Sequence, residues 1–416
     1  MTMFGVQESE AATLVRAVSR ASGPDPELGR DAIEERFARA AWSSLIEPGD
    51  RVAGELIGTR GAAGALTALL ASLSTAEPPS LVETTPDEIR HALDRWRPRV
   101  NPASVMLALR QAARFGARLL VPGDAEWPEP LGDLGFHAPV ALWVRGKGDV
   151  AGALARSIAL VGARAATGYG EHVTMEASAG LVDRGFTIVS GAAYGIDGMA
   201  HRAALASGGI TVAFLAGGVD RFYPSGHDAL LTRIVESGLV ISELPCGQPP
   251  TRWRFLQRNR LIAAASLATV VLEAGWRSGS LNTAGHAQQL GRPIGAVPGP
   301  VTSAASAGCH RLLREGTAVC VTNPDEMAEL AMPESGSATV PPVGVSEPPE
   351  VIRLLDALST RAPRTASDIA SRAGLSVADA RSLLGRLALS TRVIERERGW
   401  IKAPPLGQVP RDGRAS

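Results

Sequence analysis

The sequence predicts an α/β protein: a doubly wound parallel sheet flanked by an N-terminal helical region and a C-terminal winged helix. Three observations carry this. Between Ser157 and Pro300, short runs that are apolar at nearly every position alternate with helix-length segments, and strands buried on both faces belong to parallel sheets. Each run ends in a loop of small residues. The residues before Ala117 show helical spacing, and those after Pro349 read as three helices followed by two short strands.

Taken in order, Glu27 to Leu45 has helical spacing and stops at Pro48-Gly49-Asp50; Ala62 to Leu73 repeats the pattern. Thr85 and Pro86 supply an N-cap and a first-turn proline for a helix ending at Trp96, and Pro102 to Phe115 forms another. Arg118 to Val121 and Ala141 to Val144 read as short strands. The strand–loop–helix rhythm follows, with strands at Ser157–Val161, Phe186–Val189, Ile210–Leu215, Leu239–Ile241, Val270–Leu272 and Ile294–Val297. The Pro/Ser/Gly-rich run 331–348 reads as a linker. Pro349–Leu358, Thr365–Ala373 and Val377–Leu389 are expected as helices, with two strands about Arg398-Gly399 completing a winged helix-turn-helix. Its third helix balances Asp379 against Arg381 and Arg386, which favours a partner or dimer surface as much as base reading. The expected division is 1–116 helical, 117–330 sheet, 331–348 linker, 349–403 winged helix and 404–416 disordered tail.

Composition excludes several classes. Forty-two basic and 42 acidic residues cancel, so any nucleic acid must be met by a local patch. Nearly all basic charge is arginine; Lys147 and Lys402 are the only lysines. Three scattered cysteines imply no disulfide framework, and the seven histidines show no metal-ligand spacing. Met1–Leu14 has no apolar core, and no later run reads as a membrane span, so a cytoplasmic protein is expected.

The chain is organised around Thr251–Ser280. Arg252, Arg254, Arg258 and Arg260 fall on one expected helix, with no acidic residue between Glu243 and Glu273. An apolar strand follows, then Ser278-Gly279-Ser280 opening the next helix. Four such arginines also suit a merely solubilised helix. What favours a phosphate site is the number of small-residue loops, since in a parallel sheet they gather at the carboxyl ends of the strands. Glycines there let backbone amides approach an anion, aided by helix N-termini.

Catalytic constellations are scarce. There is no P-loop and no nucleophile elbow. Asp197 and His201, four apart on a helix, suit an acid–base pair or a structural pair in which His201 bonds Asp197. Ser278 and Ser280 read as helix caps. Glu243 and Glu273 suit either sugar chemistry or, preferably, orientation of the arginines. No metal or cofactor site is expected. Arg254 is expected to face solvent.

Seven runs resemble the DNA-processing protein A family (DprA, also called Smf): V-G-A-R at 161–164, S-G-A-A-Y-G-I-D-G-M-A-H at 190–201, Y-P at 223–224, S-E-L-P at 242–245, F-L-Q-R-N-R-L-I at 255–262, E-A-G-W-R-S-G-S-L-N-T-A at 273–284 and V-P-G-P at 297–300. The resemblance implies an extended Rossmann-like domain that binds single-stranded DNA, forms a homodimer through that domain, and helps load RecA recombinase during DNA uptake or processing, including natural transformation, without being an enzyme. It maps a positively charged DNA pocket onto Arg164, Arg258 and Arg260, shaped by Ser190, Gly191, Gly195, Asp197, Gly218, Asn259, Ser278, Gly279 and Ser280. Leu256, Ala163 and His310 depart from the family's usual proline, serine and asparagine. The alternative is a nucleoside-monophosphate glycosidase on a related fold, whose P-G-G-x-G-T-x-x-E run is absent.

Overall fold

The computed structural model describes residues 2–19, 28–75, 79–332, 348–360 and 362–403. The chain divides into two compact units, Met1–Pro333 and Glu334–Ser416. The expected linker at 331–348 lies almost wholly outside the described residues, and the expected tail at 404–416 lies outside them entirely.

The first unit is built on a nine-stranded sheet. Its spatial order is Val319–Cys320, Ile294–Ala296, Ala268–Glu273, Ser157–Gly162, Thr187–Ser190, Thr211–Phe214, Leu239–Ser242, Leu142–Gly146 and Arg118–Leu120. The first seven pair in parallel, and the last two add antiparallel. Alternation along a strand sends successive side chains to opposite faces. Ile158 and Leu160 therefore enter one core, with Leu181, Ile196 and Met327, while Ala159 and Val161 enter another, with Ile262, Ala284 and Leu312. Helices cover both faces, which is why these strands are apolar throughout.

The chain enters the parallel sheet at Ser157–Gly162, works outward to Leu239–Ser242, and returns on the other side at Ala268–Glu273. Between the two strands Ser157–Gly162 and Ala268–Glu273 the order reverses. Loops diverge to opposite faces there and leave a crevice beyond the strand ends. The strand Val319–Cys320 extends the far edge and was not anticipated.

The N-terminal part carries a hairpin of Thr2–Met3 and Val6–Gln7, an unanticipated helix Glu8–Val18, and helices Arg30–Leu45, Arg51–Thr75, Pro86–Trp96 and Pro102–Phe115. The last two begin and end where the residues indicated. Thr85 forms a capping box with Glu88 behind Pro86, and Asn101 caps the helix that Gly116 ends in the left-handed conformation, φ 64°. Trp42 and Trp96 meet edge to face at 5.3 Å within a core that also takes Trp143, Leu215 and Val240 from the sheet region.

The expectation that no run reads as a membrane span does not hold by length and composition alone. The helix Arg51–Thr75 is, by length and composition, apolar enough to cross a membrane. It is interrupted at Gly61, φ 70°, where the Glu35 carboxylate accepts from the amides of Ala62 and Ala63. Leu56, Leu66 and Leu69 on it are buried in the shared core.

The second unit holds helices Pro349–Ala357, Ala366–Ala373 and Val377–Leu389, then antiparallel strands Val393–Arg396 and Gly399–Lys402. Thr365 and Ser376 cap the second and third helices, and Gly374 turns between them at φ 64°. Leu354, Ile369, Leu384 and Val393 close a separate core.

Candidate nucleic-acid interface

At the switch point a cleft of about 1040 Å³ opens between three elements: the loop after Ser157–Gly162, the loop after Ala268–Glu273, and the helix Arg252–Ala265. Gly195 lets the first loop close down. It holds φ 75°, and a β-carbon there would lie 2.3 Å from the Ala163 carbonyl oxygen, so no side chain fits. Glu273 ties the second strand to the first loop, accepting from the Thr167 amide at 2.9 Å and its hydroxyl at 2.6 Å. It orients no arginine, contrary to the expectation.

Arg258 forms part of the cleft lining while almost wholly buried. Its Nη1 donates to the carbonyls of Gly191, at 2.5 Å, and Phe214, at 2.6 Å. A β-carbon on Gly191 would sit 2.1 Å from that nitrogen, so the glycine makes room for the guanidinium. Burial pulls its pKa down to about 10, against the attraction of Asp197, so it stays charged at neutral pH. Burial pushes the Asp197 carboxyl up, opposed first by Arg258 and then by the amides of Ala193, Gly162 and Gly191. Asn259 accepts from Arg258 Nε at 3.2 Å and donates to Asn282 at 3.2 Å. The same Asn259 amide donates to the Gly279 carbonyl at 3.4 Å, which links the helix to the Ser278–Ser280 turn, where the two serine hydroxyls bond each other at 2.8 Å.

The rim is cationic. Arg164, Arg252 and Arg277 line the cleft, and Arg221 lines a small recess beside it, across Tyr223, Pro250 and Phe255. Arg164 lies over the Phe255 ring at 5.0 Å, and Arg258 approaches the same ring at 5.9 Å. Among the described residues none of the four rim arginines forms an ion pair, and the only acidic residue lining the cleft is Asp197. Cations left without an ion pair among the described residues are the arrangement a polyanion requires.

Of the residues expected in the pocket, Arg164, Asp197, Arg258, Asn259, Ser278, Gly279 and Ser280 line the cleft together. Gly191 and Gly195 shape it from beneath. Ser190 does not reach it, because its buried hydroxyl donates to the Leu160 carbonyl at 2.7 Å. Gly218 faces the Pro245 carbonyl and Asp220 instead.

Arg260, expected in the pocket, does not line the cleft. It is buried, its Nη2 lies 2.8 Å from the Glu243 carboxylate, and its Nε donates to the His137 carbonyl. Residues two apart on a helix differ by about 200° in direction, so Arg258 and Arg260 cannot face one pocket. Glu243 does orient an arginine, as expected, but away from the cleft. Arg254 is also corrected: rather than facing solvent it is buried against Glu47, with bonds of 2.9 Å to each carboxylate oxygen. Burial alone would raise the Glu47 carboxyl; hydrogen bonds from Arg254 and Arg99 outweigh it and hold it low. His201 does not bond Asp197. Its Nδ1 is 2.7 Å from the Thr211 hydroxyl, which itself donates to the Ile188 carbonyl.

Arg221, Arg277, Tyr223, Phe255 and Trp276 join the site without having been singled out for it, as does Arg252, which was named in the basic helix but not assigned to the pocket. Arg252 lay within the basic helix, and Arg277 adjoined Ser278, but neither position revealed which arginines lack acidic partners.

Residues 118–332 match the family model described as DNA recombination-mediator protein A. The chain is 45% identical over 322 residues to a DNA processing protein DprA of Mycobacterium tuberculosis, covering 73% of this chain and 82% of that one. It is 39% identical over 211 residues to protein Smf of Escherichia coli, covering 50% and 56%. The X-ray structure of DNA processing protein A from Streptococcus pneumoniae matches it with a TM-score of 0.54 and 28% identity, over 72% of this chain and 97% of that one. The match spans the switch-point cleft and both loops that form it, and this chain belongs to the DNA recombination-mediator protein A (DprA/Smf) family.

Proposed function

We propose that this chain binds single-stranded DNA along the switch-point cleft and acts as a non-catalytic recombination mediator. In that role it protects incoming or processed strands and helps load RecA during DNA processing or natural transformation. The observation that carries this reading is the set of arginines without an ion pair among the described residues, Arg164, Arg221, Arg252 and Arg277, around a cleft whose lining includes the buried cation Arg258. Phosphates would be met by charge and by the amides of the Ser278–Ser280 turn at the start of the helix Ser280–Gln289. Family membership supports the mediator role. The proposal includes a homodimer formed through the Rossmann-like domain, a winged helix in the second unit, and a cytoplasmic location. The glycosidase reading loses support because Glu273 is buried and spent on Thr167 rather than presented to the cleft.

The test is fluorescence anisotropy with a labelled 20-nucleotide dT strand and a duplex of equal length, followed by RecA nucleation on the coated strand. Tight, salt-dependent binding to the single strand and faster RecA nucleation are expected. Equal or stronger binding to the duplex, or no binding to either, overturns the proposal.

A further inference from the structure

We infer that Trp276 is a preformed stacking platform for an unpaired nucleobase, beside the phosphate-binding rim of the cleft. The inference rests on the single-strand reading above and adds a contact to the base rather than to the backbone. Trp276 sits in the loop between the strand Ala268–Glu273 and the helix Ser280–Gln289, two residues before Ser278, and borders the cleft. The residue is 52% exposed, a large side chain to leave in water. The guanidinium of Arg311 lies over the ring at 5.2 Å. Arg311 also donates to the Trp276 carbonyl at 3.5 Å, and its Nε lies 3.9 Å from the Glu315 carboxylate. A cation over an indole face steadies the ring without filling its surroundings.

Arg277, the next residue along the chain, lines the same cleft and has no ion pair among the described residues. A strand whose phosphate meets the Arg277 side chain or the Ser278–Ser280 turn therefore brings a base within reach of the Trp276 ring. Stacking needs a free base face, so this contact is open to single strands and closed to paired duplex, and it tolerates any base. Trp253 provides an internal comparison. It is 55% exposed, on the first turn of the basic helix, and does not line the cleft.

The test uses the full chain and two labelled 20-mers, dT and a strand of the same length made wholly of abasic sites. Both are titrated by anisotropy across a salt series, with circular dichroism of every variant. Trp276→Ala is expected to weaken dT binding roughly 5- to 150-fold, with the slope of log K against log salt unchanged. Trp276→Phe should retain most of the affinity, and Trp253→Ala all of it. Wild type should bind the abasic strand less tightly than dT, and Trp276→Ala should narrow that gap. The inference is overturned if Trp276→Ala binds dT as wild type does. It is equally overturned if that variant loses the same factor on both strands, or if its salt slope flattens, because the residue then acts through the phosphates or the loop. Wild-type protein that binds neither strand removes the single-strand reading itself, and this inference with it.

Discussion

Arg258 and Arg260, two positions apart on one helix, do opposite things. Arg258 lines the cleft and is bound to the carbonyls of Gly191 and Phe214; Arg260 is turned away from the cleft and paired with Glu243. One run of basic residues thus divides into a cation that lines the cleft and one that is spent within the fold.

Arg260→Ala should act on stability. Removing one partner of a buried pair leaves the other charge stranded, at a cost of about 3–5 kcal/mol. Urea unfolding should show this loss, and replacing both partners, as in Arg260→Met with Glu243→Leu, should recover much of it. If Arg260→Ala keeps wild-type stability but binds single strands with a flatter salt slope, Arg260 reaches the ligand after all.

The rim arginines should act on binding. Arg164→Ala, Arg252→Ala and Arg277→Ala each remove an exposed or half-exposed cation without an ion pair, so stability should stay within about 0.5 kcal/mol of wild type. For each phosphate that is no longer neutralised, the single-strand salt slope should flatten by about 0.7, equally for all base sequences. Titrations at four salt concentrations measure this; unchanged slopes in all three variants would show that the DNA lies elsewhere.

Gly195→Ala should damage the cleft from beneath. It forces a side chain into a left-handed backbone position, with its β-carbon 2.3 Å from the Ala163 carbonyl oxygen. Strain of this kind costs about 1–3 kcal/mol before the clash is counted. A variant with an unchanged thermal midpoint and unchanged DNA affinity would contradict this packing.

Stability should fall in mild acid through buried histidine. Burial, then His227 and Arg258, lower the His201 pKa from 6.5 to about 3. The unfolded chain therefore binds a proton between those values that the folded chain refuses. The stabilising contribution is complete above pH 6.5 and is lost as pH falls, at about 1.4 kcal/mol per pH unit for this one group. His227 and His286 are lowered too and act in the same direction. Denaturant unfolding from pH 8 to pH 4.5 reads the slope, and His201→Gln should reduce it whatever its effect at neutral pH. A slope identical in wild type and variant would remove His201 from this account.

The first unit should stand alone. Its cores are built from residues up to Ala331, and the second unit closes its own around Leu354, Ile369 and Leu384. A chain ending at Met332 should unfold cooperatively and keep most single-strand affinity. Failure to fold, or loss of nearly all binding, rejects that division of labour.

The amino-acid sequence by itself determined the elements and their kind. Doubly apolar strands, Thr85 with Pro86, Asn101 with Pro102, and Gly374 between two short helices all act within a few residues, so they are legible in one dimension. The parallel sheet and its small-residue loops followed from that periodicity. The helix Glu8–Val18 was missed, and Val319–Cys320 is too short to show a period. Only tertiary structure decided which arginines reach the cleft and which are paired elsewhere. Arg254 is neutralised by Glu47, 207 residues away, and Arg260 by Glu243, 17 residues away across a turn and a change of element. Meanwhile Arg164, Arg221 and Arg277 come from three different loops to one sheet edge and form no ion pair among the described residues. A charge is free or spent according to what folding brings within about 4 Å of it, and that distance is a property of packed elements rather than of neighbouring letters.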